Sequence, residues 1–165
     1  MQTTLTAHSS IPFAIQSASW RDLNAVRHLE KECFPLDAWP LWDLIGVLTM
    51  GNIIRLKAVV KDQMVGFIAA DIHQGESIAW IATVGVLPEH RRRGIGSTLL
   101  MECEERLKMP RLRLSVRRSN SAAVRLYERL NYHQIDIWAG YYQDGEDALV
   151  LEKILTPQHP SGDRL

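Results

Sequence analysis

The segment VGVLPEHRRRGIGSTLLMECEERL, from Val84 to Leu107, constrains the fold of this chain more than any other stretch. It begins as an apolar strand-like run and ends with the apolar spacing of a helix, so a strand and a helix meet at RRRGIG. Gly94 and Gly96 leave the backbone without Cβ atoms where the helix begins. Free N–H groups at a helix start attract anions, and small residues let a phosphate approach closely. The segment therefore predicts a diphosphate site to which the three arginines add positive charge.

The same glycine spacing has a second explanation, which is a solvated basic turn before a helix. Two common nucleotide sites fit less well, because the segment matches neither GxxxxGK[ST] nor GxGxxG. That mismatch argues against a nucleotide-hydrolysing loop and against a dinucleotide-binding fold. Spacing alone leaves the diphosphate site and the basic turn open.

Strand-like and helix-like segments alternate along the rest of the chain. The runs IIRLKAVV and MVGFIAADIH flank KDQ, which is typical of a hairpin, and SIAWIATVGVL adds a third consecutive strand. The other predicted elements are a strand at PFAIQSAS, helices at DLNAVRHLEKECF and PLWDLIGVL, a helix from the glycines to about Lys108, a strand at RLRLSV, a helix at AAVRLYERL, and strands at YHQIDIWAG and DALVLEKIL. Three adjacent strands indicate an antiparallel sheet, and the mixed order predicts an α+β fold with a central sheet.

Length and composition favour a single domain. A chain of 165 residues, 46% of them hydrophobic, fills one core, which we place at residues 12–155 between polar tails at 1–11 and 156–165. The formal net charge of +0 gives no general attraction to nucleic acid or to an anionic membrane. The sequence shows neither a secretory leader nor a run of about 18 apolar residues, so we expect a cytoplasmic protein without a membrane partner.

The two cysteines, Cys33 and Cys103, both lie in segments with apolar periodicity. Neither has neighbours at the spacing of a metal site. We therefore expect two small buried thiols in a reducing compartment, with no disulfide and no metal.

The segment RRRGIG, from Arg91 to Gly96, resembles the Q/R-x-x-G-x-G/A signature of the GNAT N-acetyltransferase superfamily, which V-x-P also precedes. SVRRSNSAAVRLYERLNY resembles the later strand and helix of that family, with its N-x-x-A-x-x-x-Y spacing, and YYQDGEDALVLEKIL resembles its closing hairpin. The resemblance covers about residues 13–155 and implies a three-layer fold. In that fold a mixed, mostly antiparallel sheet of about six or seven strands carries about four helices.

The resemblance implies acetyl-CoA as cofactor and direct transfer of its acetyl group to a primary amine. The thioester would lie where two neighbouring strands splay apart, with the backbone of Val84, Gly85 and Val86 paired to the pantetheine arm as an added strand would be. The remaining cofactor contacts implied are Arg91, Arg92, Arg93, Gly94, Ile95, Gly96 and Ser97 at the pyrophosphate, and Asn120 at the CoA arm.

Two residues of the predicted last helix have a structural explanation besides a functional one. Asn120 is suited to cap the helix that follows it, and Tyr127 shares an apolar face with Ala123, Leu126 and Leu130. The resemblance makes Asn120 a CoA contact and Tyr127 the acid that protonates the departing thiolate. A phenol of pKa about 10 can donate to a thiolate whose conjugate acid has a pKa of about 8.5.

Within the superfamily, FPLDAW, the SN…LYE run and the pair Tyr141–Tyr142 are most similar to the ribosomal-protein alanine N-acetyltransferases and the related protein N-terminal acetyltransferases. Those alanine enzymes have a glutamate as general base where this chain has Ser115. A hydroxyl cannot take a proton from an ammonium at neutral pH. We therefore expect Ser115 at most to orient a water, and we expect an α-amine as acceptor rather than a lysine.

The same resemblance places the acceptor between the loop after the first helix, with Phe34 and Pro35, and an aromatic hairpin with Tyr141 and Tyr142. Rigid aromatic side chains can hold a peptide by apolar contact and hydroxyl hydrogen bonds. An ordinary strand pair with one buried face is the alternative. The acidic residues of the adjacent QDGED turn are expected to solvate the turn rather than to attract an amine.

Three classes of function follow from these patterns. The first is an enzyme that acetylates the N-terminal α-amine of a protein, with a ribosomal protein as one candidate target. The alternatives are acetylation of a small-molecule amine or of lysine, and a CoA-binding regulator without turnover. A nucleic-acid partner is not expected, because the arginine cluster is short and has no interleaved aromatic residues. No oligomeric state is predicted.

Overall fold

The computed structural model describes residues 12–155. The predicted polar tails at 1–11 and 156–165 lie outside the described residues. Seven strands form one sheet: β1 (Ala14–Ser17), β2 (Ile53–Val60), β3 (Gln63–His73), β4 (Ile78–Val86), β5 (Arg111–Arg117), β6 (His133–Trp138) and β7 (Ala148–Ile154). Four α-helices accompany them: α1 (Leu23–Cys33), α2 (Leu41–Thr49), α3 (Ile95–Arg106) and α4 (Ser121–Arg129). Single 3-10 turns lie at Trp20–Asp22, Gln74–Glu76 and Pro88–His90.

The strand order across the sheet is β1-β2-β3-β4-β5-β7-β6. All neighbouring strands run antiparallel except β4 and β5, which run parallel. The crossover from β4 to β5 passes through α3, as a parallel connection requires. The predicted α+β fold, with a mixed and mostly antiparallel sheet and four helices, is confirmed.

Apolar side chains fill both faces of the sheet and so create three layers. The buried run Phe67 to Ala70 of β3 contributes alternate residues to each face, because successive strand residues point in opposite directions. Helices α1 and α2 cover one face through residues such as Leu29 and Leu44, while α3 and α4 cover the other through residues such as Leu99. Gly66 allows α3 to pack closely, since an added Cβ would lie 3.0 Å from Leu99 Cδ1.

Two turns follow the sequence predictions. The KDQ hairpin turns at Lys61 and Asp62, whose φ angles of 47° and 64° suit the two-residue turns that match strand twist. Asn131, directly after α4, adopts a φ of 67°, a conformation that asparagine tolerates better than most residues.

Strands β4 and β5 are neighbours for only a short distance. Their register pairs are Ala79 with Leu112 and Trp80 with Arg113. Just beyond, Ala82 is bulged, because Ala69 of β3 pairs with Thr83 while Ala70 pairs with Ile81. A bulge bends its strand and increases the local twist. The carboxyl half of β4 therefore separates from β5 and leaves a cleft between the two strands.

Two further findings concern the predictions from composition. Within residues 12–155, no helix is both long and apolar enough to cross a membrane. Cys103 is a fully buried free thiol as predicted, but Cys33 is only half-buried, because it lies beside the cleft.

Candidate active site

A cavity of about 700 Å³ opens beside the carboxyl half of β4. Its walls are that strand, the loop before α3, the first turn of α3, the length of α4 and the end of α1. Most of the residues predicted for the cofactor meet there: Val84, Gly85, Val86, Arg91, Arg92, Gly94, Ile95, Gly96, Ser97, Asn120 and Tyr127 line it. Phe34, which was predicted for the acceptor, also lines it. Its volume lies within the range usual for small-molecule sites.

Other predicted site residues lie elsewhere. Arg93 is exposed and is not among the residues lining the cavity. Pro35, which is exposed, and the pair Tyr141–Tyr142 do not line the cavity either; they belong to the loop after α1 and the loop after β6. We divide the site into a cofactor side, defined as the cavity lining apart from Phe34, and an acceptor side. The acceptor side is named after the sequence prediction and is defined as the loops at residues 34–40 and 139–147 with the face of β5 that carries Ser115 and Arg117.

The edge of β4 that faces the cleft exposes polar backbone groups of alternate residues. The Leu87 N–H donates to the Val65 carbonyl of β3 at 2.9 Å, so Val86 points its own N–H and C=O into the cleft, and Val84 does likewise. The Val86 carbonyl already accepts from Arg91 Nε at 2.9 Å and from Cys33 Sγ at 3.3 Å. Gly85 points its polar groups toward β3, so an added strand would find partners on Val84 and on the Val86 N–H.

The first turn of α3 has free backbone N–H groups that can bind an anion. Gly94 precedes the helix with a φ of 77°, and Arg92 has a φ of 60°. The Thr98 N–H is the first to bond within the helix, to the Gly94 carbonyl at 3.0 Å. Within residues 12–155, no side chain caps the three preceding N–H groups, which belong to Ile95, Gly96 and Ser97. These groups line the cavity at the positive end of the helix dipole.

Arg125 and Arg129 also line the cavity, and sequence reasoning missed them. The signal was present, because residues four apart in a helix share one face. Arg91, by contrast, supports the loop through its bond to the Val86 carbonyl rather than pointing freely into the cavity. Positive charge at the cofactor side therefore comes from two elements, the loop before α3 and the face of α4.

Asn120 and Tyr127 fit both explanations given for them. Asn120 caps α4, since its Oδ1 accepts from the Ala123 N–H at 3.2 Å, and it also lines the cavity. The Tyr127 ring is 7% exposed, packs edge-on against Tyr132 and lines the cavity. Its hydroxyl has no hydrogen-bond partner within the described residues. Burial raises the pKa of Tyr127 above the usual value for a phenol, so the hydroxyl keeps its proton at neutral pH.

Ser115 lies on the acceptor side, on the face of β5 that carries Arg113 and Arg117. Trp80 of β4 and Trp138 of β6 stack above this face with ring centroids 5.6 Å apart. Strands β5 and β7 lie between β4 and β6, so the backbones of β4 and β6 are about 14 Å apart. Because the two rings are much closer than that, both side chains must extend toward each other over β5 and β7. In the sheet register Trp80 is aligned with Arg113, and Trp138 is aligned with Arg117. Ser115 lies midway between these two arginines on β5, so the stacked rings extend past its position.

A cluster around Arg117 joins the two acceptor-side loops, and sequence reasoning missed it. Arg117 Nε and Nη2 donate to the Asp37 carboxylate at 2.7 and 2.8 Å, and Nη1 donates to Asp144 at 2.9 Å and to Glu146 at 2.7 Å. The expectation that the acidic turn residues are simply solvated was therefore wrong for Asp144 and Glu146. Arg117 and its partners come from three separate segments, β5 and two loops, and spacing along the chain does not reveal this grouping.

Glu30 is a second residue that the sequence did not single out. It lies in α1 at 1% exposure, and its Oε1 accepts from the Thr83 hydroxyl of β4 at 2.6 Å. Burial raises the pKa of Glu30, although the Thr83 hydrogen bond favours the ionised carboxylate. This pair fastens α1 to β4 beside the bulge, close to the start of the cleft.

The splayed parallel strands, the uncapped helix start between them and the arginine-lined cavity define a site for a ligand with an extended arm and an anionic end. Residues 20–132 match the model of the acetyltransferase (GNAT) family, and the chain belongs to this family. It is an N-acetyltransferase by this membership.

Known proteins resemble the chain over most of its length. The N-alpha-acetyltransferase of Saccharolobus solfataricus is 29% identical over 157 residues, which cover 87% of this chain and 93% of that protein. The solved ribosomal-protein-S18-alanine N-acetyltransferase from Escherichia coli has a TM-score of 0.79 at 27% identity, covering 93% of this chain and 99% of its own. Arabidopsis thaliana NAA60, solved in complex with acetyl-CoA, has a TM-score of 0.76 at 20% identity, covering 87% and 99%.

Proposed function

We propose that this enzyme transfers the acetyl group of acetyl-CoA to the N-terminal α-amine of a protein. The observation that carries the proposal is the cleft where β4 leaves β5, because it leaves the backbone edge of β4 open beside a cavity lined by the start of α3 and one face of α4. The similar N-alpha-acetyltransferase and ribosomal-protein-alanine N-acetyltransferase support an N-terminal acceptor. A ribosomal protein is one candidate, and we propose a cytoplasmic enzyme whose catalytic unit is the single domain at residues 12–155.

The residues of the cavity fit acetyl-CoA. Three uncapped N–H groups at the positive end of α3 suit a pyrophosphate, and the open edge of β4 suits an amide-bearing arm. We assign the arm to Val84, Gly85, Val86 and Asn120, and the pyrophosphate to Arg91, Arg92, Gly94, Ile95, Gly96 and Ser97, with Arg125 and Arg129 added from the structure. Arg93, which the sequence also predicted there, is left out because it does not line the cavity. When bound, acetyl-CoA supplies an acetyl group activated as a thioester.

Tyr127 is the residue we assign to acid catalysis. It lines the cavity, and its hydroxyl carries a proton at neutral pH, as a phenol of ordinary pKa about 10 already would. The hydroxyl can supply the proton to a leaving thiolate. Phe34, Pro35, Tyr141 and Tyr142 are the residues we assign to the acceptor.

The class of acceptor follows from the lack of a carboxylate at position 115 to act as general base. Deprotonating an α-ammonium of pKa about 8 at pH 7 costs about 1.4 kcal/mol, whereas a lysine of pKa about 10.4 costs about 4.6 kcal/mol. Ser115 supplies no carboxylate, and Glu30 is buried against Thr83. An acceptor that loses its proton readily therefore suits this site better than a lysine.

The test uses two short peptides and acetyl-CoA, with products read by mass spectrometry and by release of free thiol. One peptide starts with a free alanine, and the other has a blocked N-terminus and carries a lysine. Acetylation of the first alone is expected. Transfer to the blocked peptide would replace the proposal with lysine acetylation. Thiol release without either product would point to small amines, and cofactor binding without any thiol release would point to a CoA-binding regulator.

A further inference from the structure

Arg117 stands at the carboxyl end of β5, where the two acceptor-side loops meet. Its side chain is 16% exposed, although it carries a full positive charge. All three guanidinium nitrogens donate to carboxylates, and the Asp37 contact uses two parallel bonds. Such paired bonds fix direction as well as distance. The guanidinium is therefore held in one orientation.

The partners of Arg117 are far apart in the sequence. Asp37 belongs to the loop between α1 and α2, while Asp144 and Glu146 belong to the loop between β6 and β7. The guanidinium also lies over the Tyr142 ring, 4.0 Å from its centroid, and Glu146 accepts from the Ser119 N–H at 2.7 Å. One side chain thus connects both loops to the end of the central strand.

The aromatic residues extend this connection across the sheet. Tyr142 contacts Tyr141, which contacts Trp138, and Trp138 stacks on Trp80 of β4. Centroid separations along this row run from 5.1 to 5.6 Å, within the range of favourable aromatic pairs. Arg117 therefore contacts Tyr142 directly and Tyr141 through it, and neither of these tyrosines lines the cavity.

We propose that Arg117 is a positioning residue that holds the two acceptor-side loops at a fixed separation and thereby sets the affinity for the acceptor peptide rather than for acetyl-CoA. This role rests on the proposed function, since it takes the acceptor to lie between those loops. Phe34, at the start of the first loop, lines the cofactor cavity, so the loop that Arg117 holds borders both substrates.

The direct test compares Arg117→Gln with Arg118→Gln. Arg118 is the next residue and loses the same charge, but it is 63% exposed and contacts Asp147 at 3.4 Å alone. Arg117→Gln is expected to raise KM for the alanine peptide at least tenfold while KM for acetyl-CoA changes less than twofold. Arg118→Gln is expected to leave both within twofold. Arg117→Lys should recover part of the loss, since lysine keeps the charge but not the paired bonds.

A double-mutant cycle tests the bridge itself. Asp37→Asn and Glu146→Gln are each expected to raise the peptide KM, and their effects should be non-additive when Arg117 is present, because both act through one guanidinium. In the Arg117→Gln background neither change should add to the loss. Equal rises in both KM values, or independent effects of Asp37 and Glu146 in the two backgrounds, would overturn the positioning role.

Hydrogen exchange separates this proposal from the proposed function. Arg117→Gln is expected to speed amide exchange at residues 34–40 and 139–147 relative to Arg118→Gln, whatever the acceptor is. Unchanged exchange in both loops would refute the bridge even if the enzyme acetylates peptides. Faster exchange in Arg117→Gln, combined with a wild-type enzyme that acetylates no peptide, would refute the proposed function and the acceptor role while leaving the bridge established. If Arg117→Gln does not fold, amide exchange in Asp37→Asn is compared with that in Arg118→Gln instead.

Discussion

The two sides of the cleft are built in opposite ways. The cofactor side takes its backbone from a continuous run, Val84 to Ser97, and adds one face of α4. The acceptor side brings together Asp37, Arg117 and Glu146, which are separated by dozens of residues. A backbone motif within one segment forms the cofactor side, whereas the acceptor side depends on side chains that separate loops bring together. We therefore expect mutations on the two sides to separate cofactor binding, chemistry and acceptor binding.

The largest effect is expected at the point where the two sides meet. Tyr127→Phe removes the hydroxyl that we assign to proton donation and keeps the ring that packs against Tyr132. Loss of a general acid typically lowers kcat by about 10²–10⁴. Steady-state kinetics should show kcat reduced by at least about a hundredfold, with the melting temperature nearly unchanged. A kcat within threefold of wild type would leave Tyr127 with its packing role alone.

A smaller effect is expected from the arginines of the cofactor side. Arg129 lines the cavity and Arg93 does not, although the sequence favoured Arg93. Loss of one charge-assisted hydrogen bond costs about 1.5–3 kcal/mol, so Arg129→Gln should raise Kd for acetyl-CoA by at least about tenfold. Titration calorimetry should measure Kd for acetyl-CoA with Arg129→Gln and with Arg93→Gln. A larger change for Arg93→Gln would favour the assignment made from the sequence.

Ser115 tests whether the acceptor side contributes to proton removal. If its hydroxyl orients a water, Ser115→Ala loses one hydrogen bond of about 1 kcal/mol, which corresponds to about fivefold in rate. The rate on the alanine peptide should fall by that amount between pH 6.5 and 9. A rate unaffected across this whole range would exclude the relay. Ser115→Glu is the companion variant, because it supplies the carboxylate that this chain lacks.

The smallest effect concerns stability rather than rate. Because burial raises the pKa of Glu30 in the folded state, its contribution to stability is complete below the unfolded pKa of about 4.3 and is lost as pH rises through the folded pKa. Glu30→Gln keeps an acceptor for the Thr83 hydroxyl and does not titrate. The free energy of unfolding of this variant should therefore increase relative to wild type between pH 4 and pH 7, as urea titrations would show. A constant difference would mean that Glu30 titrates normally.

The Arg117 cluster should be insensitive to pH where the enzyme is assayed. Hydrogen bonds from Ser119 and Arg117 lower the pKa of Glu146 to about 2, and the pKa of Arg117 is raised, chiefly by its bonds to Asp37. A carboxyl group whose pKa is lower in the folded state, such as Glu146, stabilises the fold above its unfolded pKa. This stabilisation is lost as the pH falls toward 2. The ratio of peptide KM between Arg117→Gln and wild type should thus stay constant from pH 6 to 9.

Periodicity and turn chemistry were enough to predict the elements, as the hairpin at Lys61–Asp62 and the left-handed Asn131 illustrate. The family motif predicted which backbone lines the cavity. Sequence reasoning placed Arg93 at the phosphates because it counted neighbouring charges, and it overlooked Arg125 and Arg129 because they lie on another helix. It also treated the acidic turn as solvated, since the partner of that turn comes from β5.

The sequence by itself determined the strand-to-helix junction at Gly94, the uncapped start of α3 and the cap at Asn120, because each depends on residues within a few positions of one another. Only the tertiary structure decided that β4 leaves β5 after Trp80, that two tryptophans from non-adjacent strands stack above the level of Ser115, and that Arg117 joins two distant loops. Local interactions are set by spacing along the chain. Contacts between distant segments depend on sheet register and loop placement, which the whole packed core fixes together.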